Sequence, residues 1–305
     1  MEYLQFVIII IFSPLVQGII KKLKANCQGR VGASILQPYY DLIKLFKKEM
    51  VFSRVTSWIF RVTPFIVFIS TIVAAMMIPV ITTKSSFGLM GDVIALIYIL
   101  ALGRFFLALA ALDAGTAFGG EGSSREMIVS ILVEPMIMLC IFTVAITAGS
   151  TNIAMIAEPQ SFVLSPSHVL ALLAFLIAII ADTGRVPVDN PDTHLELTMI
   201  HEGMILEYSG RYLALIEWSH YIKQMILFTL FVDMFVPLGI AHDTGMTGLI
   251  ISSGVYSLKM LFLIGFMAIV ESTRAKVRIF QIPTILGGSF VLAVLSLLTL
   301  IMVGK

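Results

Sequence analysis

Apolar residues in this chain come in long unbroken runs rather than in alternation. Eight runs stand out, at 3–20, 56–80, 91–112, 127–149, 166–182, 212–236, 248–270 and 281–303. Each is close to the ~20 residues that carry an α-helix across ~30 Å of hydrocarbon, and 166–182 is the shortest. The pattern predicts an all-α integral membrane protein with eight transmembrane helices, in a single polytopic domain over 1–305. No long polar linker or low-complexity tract divides it. The first run has no basic residue before it and "KKLK" after it. That order predicts a retained anchor with its N-terminus outside rather than a cleaved signal.

The polar segments between runs carry the orientation. With loops at 21–55, 113–126, 183–211 and 271–280 taken as one side, that side holds Lys21, Lys22, Lys24, Arg30, Lys44, Lys47, Lys48, Arg54, Arg125, Arg185, Arg211, Arg274, Lys276 and Arg278. The other side holds Lys84 and Lys305, while Arg61, Arg104, Lys223 and Lys259 fall inside runs. The positive-inside rule makes the first side cytoplasmic and both termini external, in a multi-pass protein of the cytoplasmic (inner) membrane. Composition agrees: 58% hydrophobic, 13% charged and a mean hydropathy of +1.00 exclude an ordinary soluble domain. A net charge of +1, without a basic patch interleaved with aromatics, offers nothing to a nucleic acid. Cys27 and Cys140 match no metal or redox spacing, so no cofactor is expected on this chain.

The first cytoplasmic loop has a pattern of its own. In "ILQPYYDLIKLFKKE", Gln37, Asp41, Lys44 and Lys48 recur at helical spacing, with Leu36, Tyr40, Ile43 and Phe46 or Phe52 facing away. This predicts an amphipathic interfacial helix starting near Pro38, serving as a lipid-surface helix or as a docking face. "GGEGSSRE" lacks the strand–loop–helix setting of a phosphate loop. It reads instead as a loop in which Ser123 or Ser124 caps the fourth spanning helix and Glu126 sits in its first turn.

Ionisable residues inside spans are costly, so each needs a reason. Counted from the cytoplasmic ends, Glu217 lies about five residues in, Glu134 about seven, Arg104 about eight, and Lys223 and Lys259 about eleven. They form a ladder from that surface to mid-bilayer, with only Asp233 near the far interface. Two readings fit: ion pairs that lock helices together, Arg104 with Glu134 for one, or a hydrated half-channel carrying protons to buried carboxylates. The segment "NPDTHLELTMIHEGMILEYSGR" (190–211) leads into this ladder. Glu207 and Arg211 are spaced to pair, and Glu217 and His220 share a helix face. The candidate proton pathway is therefore Glu196, Glu202, Glu207, Glu217, His220, Lys223, Lys259, Arg104 and Glu134. Arg30, Asp41, Lys44, Arg125, Asp192, His194 and Arg211 are candidates for meeting a soluble partner. His194 and His201 with Asp192 and Glu202 match no zinc spacing.

Three stretches carry a resemblance: "GRVGASILQPYYDLIKLFKKE" (29–49), "GGEGSSREMIVSILVEP" (119–135) and "ADTGRVPVDNPDTHLELTMIHEGMILEYSGRYLALIEW" (181–218). Together they resemble the membrane subunit shared by respiratory complex I (NADH dehydrogenase subunit 1) and the group 4 membrane-bound NiFe hydrogenases. The compact first loop and "VDNPDTHLELTMIHE" are similar to the hydrogenase-4 and formate hydrogenlyase type. The resemblance implies a subunit that anchors a hydrophilic redox arm and links it to antiporter-like membrane subunits. Hydrogenase large and small subunits and an iron–sulfur subunit are the implied partners, holding the NiFe centre and the iron–sulfur clusters. It also implies that acidic loops lie under the catalytic module and that buried glutamates begin a lateral proton path. Glu196, Glu207 and Glu134 fall on such positions. His220 departs from the pattern, standing where complex I has a glutamate, with Glu217 one turn earlier. Two other functions compete: a quinone-site subunit of a complex I-like enzyme, and a stand-alone proton-coupled transporter, which predicts internal repeats that are not evident here.

Overall fold

The computed structural model describes residues 2–53, 55–82, 91–158, 165–189, 199–240 and 246–303. Each apolar run falls on a helix. In chain order these are α1 (Glu2–Cys27), α2 (Gln37–Lys47), α3 (Trp58–Met77), α4 (Val93–Asp113), α5 (Ala117–Ala148), α6 (Ile153–Ile156), α7 (Pro166–Asp182), α8 (His201–Ile205), α9 (Gly210–Phe235), α10 (Met246–Thr273) and α11 (Ile282–Val303), with a 3-10 turn at Ile279–Gln281 before the last. The described residues form helices joined by turns, with one isolated bridge between Asp92 and Asn152. Among the described residues, six helices are long and apolar enough to cross a membrane: α1, α3, α4, α5, α10 and α11. The α7 helix is apolar but has only 17 residues. Although α9 has 26 residues, it carries Arg211, Glu217, Lys223 and Asp233.

Helix starts follow local chemistry. Ser57, Asp92, Thr116 and Ser165 stand at the N-caps of α3, α4, α5 and α7, and each side chain accepts a hydrogen bond from an amide of the first turn. The Thr116 cap corrects the expectation for the fourth spanning helix. "GGEGSSRE" is helical, α5 starts seven residues before Ser124, and the Ser123 hydroxyl instead donates to the Ala108 carbonyl at 3.1 Å. Gly122 explains why the glycines are tolerated. A Cβ there would lie 3.0 Å from the Ile200 carbonyl oxygen and 3.1 Å from the Gly203 backbone, so the glycine lets α8 rest against α5.

The packing puts α9 at the centre. It touches α1, α2, α3, α7 and α10, and from Tyr221 to Phe235 nearly every residue is buried. Around it, α3 pairs with α4, α5 with α7 and α11, and α1 with α10. The main core cluster draws on all eight long helices, from Ile9 through Phe175 and Phe228 to Leu286. A helix enclosed by others can carry charge that a lipid-facing helix cannot, because neighbouring side chains replace water.

Most cations collect at one end of the bundle, called here the basic end. There α2 lies along α1 and α9, and Tyr39 donates to the Ile11 carbonyl at 2.5 Å. Its buried residues are Pro38 and Leu42, the latter against Ala214 and Tyr221. This shifts the expected apolar face by half a turn, leaving Leu36, Tyr40 and Ile43 outward as a second apolar stripe. Two contacts tie the first loop to the α8–α9 turn. The Val51 amide donates to Ser209 Oγ at 2.8 Å, and Gly210, at φ +54°, lies beneath Glu49, whose carbonyl would sit 2.7 Å from an added Cβ. Tyr208 stacks on Phe60 at 4.0 Å and donates to the Phe60 carbonyl at 2.9 Å. Burial pushes its phenol well above the ordinary value, so it remains a donor.

Candidate functional site

The end of α7 supplies the carboxylate around which the internal charges gather. Asp182 is that helix's last residue, and its side chain is 3% exposed. One oxygen meets the Arg104 guanidinium from α4, and the other lies 2.8 Å from Lys223 Nζ of α9. Lys223 also donates to the Asp182 backbone carbonyl at 3.2 Å. Arg104 reaches two α5 carboxylates as well, donating to Glu134 at 2.9 Å and lying 3.5 Å from Glu126. Two cations and three carboxylates from four helices thus form one network. Such groups are stable away from water only when paired and hydrogen-bonded, which this arrangement supplies. The Glu134 side chain is 36% exposed, on the outer face of the bundle, so the network opens sideways at that point.

A cavity of about 50 Å³ adjoins the network, lined by Arg104, Glu126, Asp182 and Lys223 together with Asp189, His201 and His220. Beside it lies a second of about 70 Å³, lined by Lys21, Glu202, Glu217, Glu271, Arg185 and Tyr221. Gly184, Asp189, His201 and His220 border both. Each has room for a few waters at roughly 10–15 Å³ apiece, and although apolar side chains such as Val67, Leu100 and Ile216 form part of the first wall, each presents several polar groups able to hold ordered water. Glu217 and His220 do share a wall, as their spacing predicts.

Arg185 braces the second cavity. Its guanidinium binds Glu271 of α10 and Gln17 of α1, and donates to Gln224 of α9 at 2.7 Å. Lys24 lies 3.5 Å from the same Glu271. Nearby, Asp189 accepts from Lys276 at 2.8 Å and from the Ile200 amide at 3.3 Å, fixing where α8 begins.

Lys259 does not join this network. Its ammonium donates at 2.5 Å to the carbonyl of Val236, which caps the far end of α9. Along α9 that is ~20 Å beyond Lys223 at ~1.5 Å per residue. Between the two levels, Phe175 lies 6.3 Å from Phe231 and 5.8 Å from Phe235, ring centre to ring centre, and all three rings are buried. The far half holds its own small polar group. Asp233 is buried with one oxygen lacking a hydrogen-bond partner, and Thr229 meets the Tyr256 hydroxyl at 2.7 Å.

The remaining expectations divide. Glu207 and Arg211 form no ion pair, because the extended Ser209 and left-handed Gly210 break the helix between them. Arg125 donates to the Met199 carbonyl at 2.9 Å and pairs with Glu121, so it straps α5 to the approach to α8. Asp41 accepts from Gln37 at 3.0 Å, and Arg30, Lys44 and Arg211 are exposed. Asp192, His194 and Glu196 lie outside the described residues. Among the described residues, no group of three His, Cys, Asp or Glu is arranged to hold a metal ion.

Hydropathy and spacing do not single out Asp182, Glu126, Arg185, Asp189, His201 or Glu271 as members of the site. Asp182 ends the run 166–182 and Glu271 follows the run 248–270, so both count as boundary charges on a hydropathy reading. A signal is present in "ADTGR", where an acid and an arginine flank the end of an apolar run.

Comparison with known proteins bears on the whole chain. The family described as NADH dehydrogenase matches residues 1–304. Hydrogenase-4 component C of Escherichia coli is 40% identical over 294 residues, covering 96% of this chain and 92% of that protein. Formate hydrogenlyase subunit 4 of the same organism is 33% identical over 301 residues, covering 98% and 97%. A subunit of the NADH-quinone oxidoreductase of Thermomicrobium roseum is 30% identical over 291 residues, covering 86% and 82%. In fold, the chain is similar to one in the structure of the membrane-bound sulfane sulfur reductase, an archaeal respiratory membrane complex. The TM-score is 0.83 at 21% identity, with 98% of this chain and 99% of that one covered.

Proposed function

This chain belongs to the NADH dehydrogenase family, and from that premise we propose that it is the membrane anchor and proton-coupling subunit of a formate hydrogenlyase-like NiFe hydrogenase complex. In this reading all eight long helices span the inner membrane, both termini are external and the basic end faces the cytoplasm. There it meets the hydrophilic arm, whose large, small and iron–sulfur subunits hold the NiFe centre and clusters. The outward Leu36, Tyr40 and Ile43 of α2, with Arg30, Lys44 and Arg211, form part of that cytoplasmic face.

One observation carries the coupling role: the Arg104–Asp182–Lys223 network lies between a polar cavity toward the basic end and a glutamate, Glu134, exposed on the bundle's flank. Protons reach the network through the cavity that holds Glu202 and Glu217, and leave sideways at Glu134 toward an antiporter-like subunit. Buried aromatic packing around Phe231 blocks straight passage to the far side, so translocation is completed elsewhere. Glu207 lies at the approach to the path, and Lys259 lies off it.

The test uses inverted membrane vesicles holding the assembled complex. Protons taken up per hydrogen evolved should fall sharply in Glu134→Gln and Lys223→Gln, with the subunits still copurifying. An unchanged ratio in both assembled variants removes the coupling role and leaves anchorage. Quinone reduction in place of hydrogen evolution would assign the complex I-like role. Proton-coupled uptake by the chain alone in vesicles would assign a transporter.

A further inference from the structure

The two cavities at the basic end meet at a pair of histidines. His201 is the first residue of α8, and His220 lies in α9; their ring centres are 4.6 Å apart, with the planes at 33°. Both line both cavities. His201 Nε2 is buried and has no hydrogen-bond partner. A buried ring nitrogen that no protein group engages, on the wall of both cavities, is placed to exchange a proton with water in either. The start of α8, which carries His201, is also held in place. Asp189 receives the Ile200 amide, Arg125 grips the Met199 carbonyl, and Gly122 lets α8 sit against α5.

We propose that His201 and His220 form a two-imidazole bridge that passes protons, one at a time, from the outer cavity to the Arg104–Asp182–Lys223 network. This deepens the coupling role and rests on it. On the outer side the pair faces Lys21 of α1, Arg185 of the α7–α8 loop, Glu202 of α8, Glu217 of α9 and Glu271 of α10. On the inner side it faces Arg104, Glu126, Asp182 and Lys223, with Asp189 on the shared wall. A proton from the outer cavity adds to one ring nitrogen to make an imidazolium. That ring gives up the proton on its other nitrogen toward the inner cavity, directly or through one water, which leaves it neutral in the other tautomer; tautomer exchange then resets it for the next proton. Two rings this close cannot both carry a charge cheaply, so the pair holds a single proton and acts as a one-proton gate.

The assembled complex in inverted vesicles again provides the assay, with Lys223→Gln as the reference. His201→Ala should lose proton uptake per hydrogen evolved, and added imidazole should restore it by occupying the space beside His220. His201→Gln keeps a polar side chain of similar size but cannot carry a proton through, so it should stay uncoupled with or without imidazole. If Lys223→Gln uncouples while His201→Gln stays coupled, the bridge is wrong and the coupling role stands. Uncoupling of His201→Ala without imidazole rescue also overturns the bridge. If Lys223→Gln and Glu134→Gln both remain coupled, it is the coupling role that fails.

Discussion

Replacing Asp182 by Asn leaves the packing nearly unchanged and removes the charge between Arg104 and Lys223. The two cations do not suffer equally. Arg104 keeps Glu134 at 2.9 Å and Glu126 at 3.5 Å, whereas Lys223 loses the carboxylate 2.8 Å away and keeps the Asp182 carbonyl at 3.2 Å. At 2.8 Å and an effective dielectric of ~20, the lost attraction is about 6 kcal/mol. Part of that is recovered by relaxation and by water entering the adjoining cavity, so the expected net cost is about 3–5 kcal/mol, the range for breaking a buried pair from one side. Most of the penalty belongs to a stranded ammonium, so a second change that removes the ammonium should give most of it back. Asp182→Asn with Lys223→Met should therefore be more stable than Asp182→Asn alone. The assay is thermal unfolding of the detergent-solubilised complex for the wild type, both single variants and the double variant, read as a double-mutant cycle. Additive losses, with the double variant the least stable of the four, would refute the claim that Asp182 neutralises Lys223.

Three further outcomes follow from the same geometry. Gly210→Ala forces an L side chain to φ +54° and pushes a Cβ within 2.7 Å of the Glu49 carbonyl, and should cost about 1–3 kcal/mol by the same melting assay. Tyr208→Phe removes the donor to the Phe60 carbonyl but keeps the stacked ring, so a loss of about 1 kcal/mol is expected; a loss as large as that of Asp182→Asn would mean the hydroxyl does something else. Cys27 is exposed at the basic end and Cys140 is buried in the core, so a membrane-impermeant maleimide should label Cys27 in inverted vesicles, spare it in right-side-out cells, and leave Cys140 unlabelled in both. Labelling of Cys27 from outside the cell would reverse the orientation.

Hydropathy and charge by themselves determined the helices, because both act locally. A run of apolar residues has to satisfy its backbone hydrogen bonds within itself wherever water is missing, so each of the eight runs became a helix irrespective of its neighbours. The clustering of Lys and Arg in alternate loops likewise needs only the order of the runs, and the i, i+3 spacing of Glu217 and His220 needed only the helical repeat to share a face. What tertiary structure alone decided is which charge meets which. Arg104 and Glu134 were legible as partners, but Asp182 sits between Arg104 and Lys223 because α7 ends where α4, α5 and α9 converge, and hydropathy cannot see that meeting point. Lys259, counted onto the same level as Lys223, faces Val236 at the far end of α9, because the offset of α10 along α9 is set by packing and not by where its apolar run ends. Pairing depends on the rotation and end-point of each helix, and these are set by steric fit at glycines such as Gly122 and by buried hubs such as Arg185, which act between segments far apart in the chain.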